Sequence, residues 1–238
     1  MNQPTLHAQF YGYDQRYEKS MAIMRSIHDE VAQKKRPPHM MLLEHEPVIT
    51  ITNQHRERSL KSTQEQMRAD NIALILADRG GDATFHGPGQ LVGYPIIPLR
   101  LLPSGEPNLL LHVRSIEAGL LKALGILGVE AQILPGFTGI WVENKDPDCD
   151  VKYKKLAAIG VGVKNGVSKH GFALNIDIDH ALFCRHLIPC GLREFGVTTL
   201  SEVFLSQCLE MPKYLDIVEL VSTCLASQFE MALSPHHF

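Results

Sequence analysis

The sequence lacks the features that would direct it out of the cell or into a bilayer. Its first twenty residues, MNQPTLHAQFYGYDQRYEKS, have no basic start followed by an apolar run, and no apolar stretch reaches membrane-spanning length. A soluble, cytoplasmic protein with no membrane partner is expected. A disulfide framework is lacking too, because Cys149, Cys184, Cys190, Cys208 and Cys224 form an odd, irregularly spaced set that points to reduced thiols. Nor is there an excess of positive charge. With a formal charge of -3 and a pI near 6.4, nothing signals a general polyanion partner. Nucleic acid is therefore not expected, and an acidic partner must meet a local basic patch; Lys34, Lys35, Arg36 and the basic residues among 152–155 are candidates. Repeats and low-complexity tracts are missing. So are the nucleotide loop G-x-x-x-x-G-K-[ST], H-E-x-x-H and G-x-S-x-G. The run from Gly166 through Ser168 to Gly171 has one residue too many for the last of these.

What is present is enough apolar material, 45% of 238 residues, for one large core, and no compositional break divides it. Residues 1–238 read as a single domain. A strand is expected over Leu6 to Phe10, then a helix capped by Asp14 with Tyr17, Met21, Met24, Ile27 and Val31 on one face, ended by Pro37 and Pro38. Short strands follow at Met40 to Glu44, Val48 to Thr52 and Ile72 to Ala77, with a helical stretch at Thr63 to Ala69. Asp78 to Pro98 reads as loop then strand. Asn108 can cap a second helix, whose face is Val113, Ile116, Leu120, Leu124 and Leu127 and which Gly128 closes. Strand-like runs at Val129 to Leu134, Gly139 to Glu143, Leu156 to Val163 and Gly171 to Ile176 follow, with a surface hairpin over NKDPDCDVKYK. A last helix after Pro212, over about 212–231, carries Val218, Val221, Leu225 and Phe229. The fold class is α/β (α+β), a mixed β-sheet flanked by helices.

Several places hold residues suited to chemistry. Arg79-Gly80-Gly81 is either a tight turn or a loop whose backbone N–H groups approach a ligand. Thr84 to Gln90 packs a hydroxyl, an imidazole and an amide around Pro88, a density of polar groups that packing alone rarely needs. His170 stands at a strand entrance with Gly171, Phe172, Ala173, Leu174 and Asn175, where a structural role is the commoner one. Pro189-Cys190-Gly191 sets a thiol between a residue that fixes φ and one that frees it. Local sequence leaves open a reactive thiol or a buried, inert one. His180, Cys184, His186 and Cys190 are potential zinc ligands, but their spacing does not make the two separated pairs of a structural site, and no metal is expected.

In order along the chain, EHEPV, RGGDATFHGPGQLVGYP, GIWV, KLAAIGV, HGFALN and PCGL resemble the signature blocks of the lipoyl(octanoyl) transferases, over most of residues 10–205. Thr52 stands where that family often has glycine, and the stretch 143–154 looks longer than usual; both are expected to affect loop shape only. The resemblance implies the fold of biotin and lipoate protein ligase catalytic domains. It also implies octanoyl transfer from octanoyl-acyl carrier protein to a lysine on lipoyl domains of 2-oxoacid dehydrogenase E2 subunits and glycine cleavage H protein, by a monomer. Block by block, the thioester cysteine falls on Cys190 and the pKa-lowering lysine on Lys155. Substrate contacts fall on Arg79, Gly80, Gly81, Asp82, Ala83, Thr84, Phe85 and His86, on Ala158, Ile159 and Gly160, and on Gly171, Phe172 and Ala173. Thioester exchange is near neutral in free energy and aminolysis ends in a stabler amide, so no ATP or other cofactor is expected. Phe85, Tyr94 and Phe172 can line an acyl slot or belong to the ordinary core. The alternatives are an ATP-dependent lipoate protein ligase and a non-catalytic protein that binds lipoyl domains or acyl carrier protein.

Overall fold

A computed structural model describes residues 3–52, 59–146, 150–188 and 195–234, so Cys149 and Cys190 lie outside the described residues. The main sheet runs through strands β1 (Thr5–Phe10), β2 (His39–Leu43), β6 (Gln90–Ile96), β7 (Gln132–Leu134), β8 (Phe137–Glu143), β9 (Tyr153–Lys164), β10 (Val167–Asn175) and β12 (Ala232–Leu233), in the order β12-β1-β2-β6-β10-β9-β8-β7. β11 (Phe195–Val197) adds beside β9, and β3 (Val48–Ile51), β4 (Ala73–Leu76) and β5 (Thr84–His86) make a smaller sheet in the order β4-β3-β5. Parallel pairs at β1–β2 and antiparallel pairs from β2 to β8 make the main sheet mixed.

The two central strands explain the layers. Every residue of β2 and β6 is buried, as expected for strands covered on both faces. Met40, Leu42 and Leu91 pack toward α3 (Leu109–Ile126) and α6 (Tyr214–Gln228), while Met41, Leu43, Val92, Tyr94 and Ile96 pack toward α1 (Tyr17–Ala32) on the other face. A third cluster, including Ile49, Met67, Phe85, Phe183 and Val197, joins the small sheet to α2 (Gln64–Ala69) and α4 (His180–His186).

The expected face of α1 is buried as read, but Asp14 does not cap it. Arg16 is the N-cap and gives no side-chain bond, while Asp14 takes φ +50° and Gln15 N–H bonds Glu44 O at 2.8 Å. Asp14 thus turns the chain and Gln15 links it to the strand end before the helix starts. Asn108 does cap α3, accepting from Leu111 N–H at 3.0 Å. The buried side of that helix includes Glu117 and Gly119, whereas Val113 and Leu127 are only partly buried. The strand expected from Val129 starts at Gln132, because Gly128 at φ +77° and Val129 N–H, bonded to Leu124 O, still close the helix. The strand expected from Gly171 starts four residues earlier, since Asn165 and Gly166, both at positive φ, form a tight hairpin between β9 and β10. Two short helices had no counterpart in the sequence reading, α4 capped by Asp179 and α5 (Leu200–Ser206) capped by Thr199 with Glu202.

Gly89 ties the β5–β6 turn to the end of β10. Its φ is +79°, its carbonyl accepts from Ile176 and Asp177 N–H, and a Cβ there would lie 2.1 Å from Asp177 O. Gly89→Ala should therefore cost about 2–4 kcal/mol, by forced displacement of backbone plus left-handed strain. Urea unfolding checks this, and an unchanged midpoint would show that the turn does not hold the strand end.

Candidate active site

β9 supplies the first wall. Its register with β8 shifts between Ile140↔Ala157 and Trp141↔Lys155, an irregularity of the kind that re-aims side chains. Lys155 Nζ donates to Thr138 O at 3.2 Å and lies 4.6 Å from the centre of the Trp141 ring, so carbonyl and π-face both hold the ammonium. The buried Glu117 carboxylate accepts from Gly139 N–H at 3.1 Å and anchors the same turn of β8 from below.

The second wall is the Asp78–Thr84 loop, laid against β9. Gly80 N–H donates to Val161 O at 3.0 Å, and a Cβ on Gly160 would lie 2.7 Å from Gly80 O. Glycine at 160 is thus what lets the two backbones meet. Arg79 Nη2 donates to Thr50 O (3.1 Å) and Thr50 Oγ1 (2.7 Å), and Nη1 to Gly80 O (3.0 Å), while Nε is buried with no partner among the described residues. Desolvation pulls the Arg79 pKa below its usual value, and the nearby Tyr17 and Tyr94 oppose that shift. Thr52 donates from Oγ1 to Gly81 O at 2.9 Å, and Asp82 accepts from Ser59 Oγ and from Ala83 N–H.

Beneath lies a buried polar floor. His86 Nδ1–H donates to Gln90 Oε1 at 2.7 Å, and Gln90 Nε2 donates to Asn175 Oδ1 at 2.9 Å. Asn175 Nδ2 in turn donates to Thr198 O at 3.1 Å and lies 3.5 Å from Lys155 O. His45 Nδ1–H donates to Gln15 O, which leaves Nε2 to accept from Tyr94 O–H at 2.8 Å. Burial pushes His45 down to about 4 and His86 well below the usual imidazole value, so both are neutral at pH 7. The same desolvation pushes Tyr17 up to about 12.

These walls enclose a cavity of about 390 Å³, within the range of small-ligand sites, about 300–1,000 Å³. Lys155 lines it, with Arg79, Gly81, Asp82, Ala83, Thr84 and His86 from the first block, Ala158, Ile159 and Gly160 from the second, and Gly171, Phe172 and Ala173 from the third. Gly80 and Phe85 are not in its wall. On β5 side chains alternate, so with His86 and Thr84 toward the cavity Phe85 turns to the third cluster, edge-on to Phe183 at 5.9 Å. Of the aromatic residues weighed for a slot, Tyr94 and Phe172 line the cavity and are also buried core. Gln90, the amide of the polar Thr84 to Gln90 run, lines the cavity as its density of polar groups suggested, and Asn175, a polar residue closing an apolar strand, lines it too without having been assigned a contact. Val197 and Thr138 carried no such signal, since only pairing brings them here. His180 pairs with Glu202 and His186 with Asp70. Among the described residues no helix is long and apolar enough to cross a membrane.

A profile described as the lipoyl protein ligase A/B catalytic domain matches residues 16–219. The octanoyltransferase of Leifsonia xyli subsp. xyli is 38% identical over 187 residues, 78% of this chain and 76% of that protein. That of Tropheryma whipplei strain TW08/27 is 37% identical over 220 residues, 87% of this chain and 89% of that protein. The chain belongs to the octanoyltransferase family. Membership makes it an acyltransferase. Among solved structures, a bi-partite lipoate protein ligase from Thermoplasma acidophilum superposes with a TM-score of 0.72 at 13% identity, covering 100% of this chain and 88% of that one. Lipoate-protein ligase A bound with ATP gives 0.68 at 15% identity, covering 100% and 90%. These likenesses establish the expected fold, that of the ligase catalytic domains.

The neutral buried imidazoles set an acid limit on stability. Desolvation, the largest cause in each case, holds His39, His45 and His112 near 4. An unfolded histidine titrates near 6.5, so between about pH 6.5 and 4 the unfolded chain takes up protons that the folded one refuses. Stability is then full above 6.5 and falls through that window. Urea midpoints taken at about pH 7 and about pH 4.5 should differ in that direction; equal midpoints would contradict buried, neutral rings.

Proposed function

We propose that the chain carries an octanoyl group from octanoyl-acyl carrier protein to a lysine of a lipoyl domain through a thioester on Cys190, with Lys155 as its proton-handling partner. The observation that carries this reading is Lys155 itself, whose ammonium faces a cavity walled by three separate sequence blocks. Cys190 is outside the described residues, but the chain re-enters just after it as β11. Val197 there pairs with Lys155, and Thr198 N–H donates to Lys155 O at 3.1 Å. Lys155 is therefore paired with the segment that follows Cys190 in the sequence. The acceptors are the lipoyl domains of 2-oxoacid dehydrogenase E2 subunits and glycine cleavage H protein, met in the cytoplasm by a monomer.

A cysteine of ordinary pKa, about 8.5, is a few per cent thiolate near neutrality, and an adjacent ammonium raises that fraction. The thiolate attacks the carrier's thioester carbonyl, and the leaving carrier sulfur takes its proton from Lys155. Burial of the acyl chain contributes roughly 0.8 kcal/mol per CH₂, and Phe172, Ala158 and Ile159 supply apolar wall for it. The loop from Arg79 to His86 and the backbone near Gly191 are the candidate donors to the tetrahedral oxyanion. The acceptor amine then displaces Cys190.

Intact mass spectrometry after mixing with octanoyl-acyl carrier protein should show one octanoyl adduct, released by hydroxylamine and absent from Cys190→Ala. An adduct that persists in that variant would refute the thioester role. Lys155→Ala should slow both half-reactions by about 10²-fold or more, with the urea midpoint kept; a selective loss of lipoyl-domain binding would instead make Lys155 a docking residue.

A further inference from the structure

His170 is a residue that the transfer chemistry above leaves unused. It lies within β10, yet its φ is +57°, a left-handed conformation that disfavours any side chain with a Cβ. The neighbouring strand explains how the ladder accommodates it. Two residues on from the pair Phe172↔Gly93, the antiparallel register sets Pro95 opposite His170, and proline has no N–H to give. Ser168 Oγ fills the gap, donating to Pro95 O at 2.6 Å and accepting from Ile97 N–H at 3.0 Å, while His170 N–H turns to the Met24 sulfur at 3.4 Å.

The distortion places an imidazole in the cavity wall. The residue is 2% exposed, and its ring stands edge-on to Tyr94 and donates from Nε2–H to Asp78 Oδ1 at 2.8 Å. Asp78 also pairs with Lys169 and faces solvent. With its proton fixed on Nε2, the ring keeps a lone pair on Nδ1, the arrangement of a histidine oriented by a carboxylate. The titratable and charged groups around it are Asp78, Arg79, Lys169, Tyr94, His45 and His86. Desolvation lowers its pKa, Arg79 and Lys169 add to that, and Asp78 opposes it. The ring is neutral near pH 7.

The proton count of acceptor acylation calls for such a group. This inference rests on the thioester reading. After the first half-reaction Lys155 is neutral, so it can take one proton and restore the thiolate–ammonium pair. The acceptor lysine, however, enters as an ammonium and leaves as an amide N–H, giving up two. We propose that His170, held by Asp78, is the general base for the other proton. Nδ1 takes it from the acceptor ammonium, and the freed amine attacks the octanoyl carbonyl carbon. As the tetrahedral intermediate collapses the C–S bond breaks, sulfur leaves as the Cys190 thiolate, and the second proton passes to Lys155. The imidazolium, still bonded to Asp78, then releases its proton to water.

The test starts from wild-type enzyme already octanoylated on Cys190 and follows single-turnover transfer to a lipoyl domain from about pH 5.5 to about 8.5, the span over which histidine changes charge. The wild-type rate should fall on the acid side as the imidazole protonates. His170→Asn keeps a residue tolerant of left-handed backbone and an N–H for Asp78. It should form the Cys190 adduct, transfer about 10²–10³-fold more slowly and lose the acid limb. Asp78→Asn, which leaves the imidazole in place, should move that limb to lower pH. Transfer by His170→Asn at the wild-type rate, a slowed rate that keeps the wild-type limb, or a limb unmoved in Asp78→Asn would each overturn the assignment. A wild-type enzyme that forms no adduct would instead overturn the thioester reading.

Discussion

The site depends on one strand, β9, which is paired on both edges over its first residues and on the β10 edge beyond them. Its first residues are bonded along one edge to β8, and its other edge is bonded first to β11 and then to β10, so three partners fix its register. Each hydrogen bond contributes only about 1 kcal/mol net, but an orphaned backbone group in this interior would cost more, so a slip is penalised at many positions at once. That rigidity is what carries Lys155 and the segment from Ala158 to Gly160 to one wall. It also fixes where the Arg79–Gly80 turn can dock, through Gly80 N–H on Val161 O.

Within that frame the polar interior follows from a low dielectric. Around the Arg79 guanidinium, His45, His86, Tyr17 and Tyr94 are all held neutral, each by desolvation above all. Their hydrogen bonds run in definite directions because carbonyl and amide oxygens only accept, and this fixes the tautomers of His45 and His86. The chain from His86 through Gln90 and Asn175 to Thr198 O links the floor of the cavity to the segment that follows Cys190. Charge enters at the edges, through Lys155 against Trp141 and Asp78 against Lys169 and His170.

How much could be read beforehand differed by element. Long periodic segments were legible, since the faces of α1 and α6 and the runs of β2 and β6 need only hydrophobic spacing. Boundaries were less so, because Asp14 and Val129 have uses outside the elements they border. The short helices α4 and α5 have too few turns to show a period, although the capping pair of Thr199 and Glu202 was visible in the residues. The Asn165-Gly166 turn was equally legible and was missed.

The sequence alone determined the inventory, namely the separate blocks, the residue types each must contain, and the mixed α/β class. That much is local, because glycine, proline, apolar period and polar clusters act over a few residues. Only the tertiary structure decided which of those residues share a cavity. Strand alternation turned Phe85 away from it, and pairing across the sheet brought in Gln90, Asn175, Thr138 and Val197. It also gave His170 its carboxylate, from a residue 92 positions distant. Such contacts arise from ladder register and burial, which are sums over many long-range interactions.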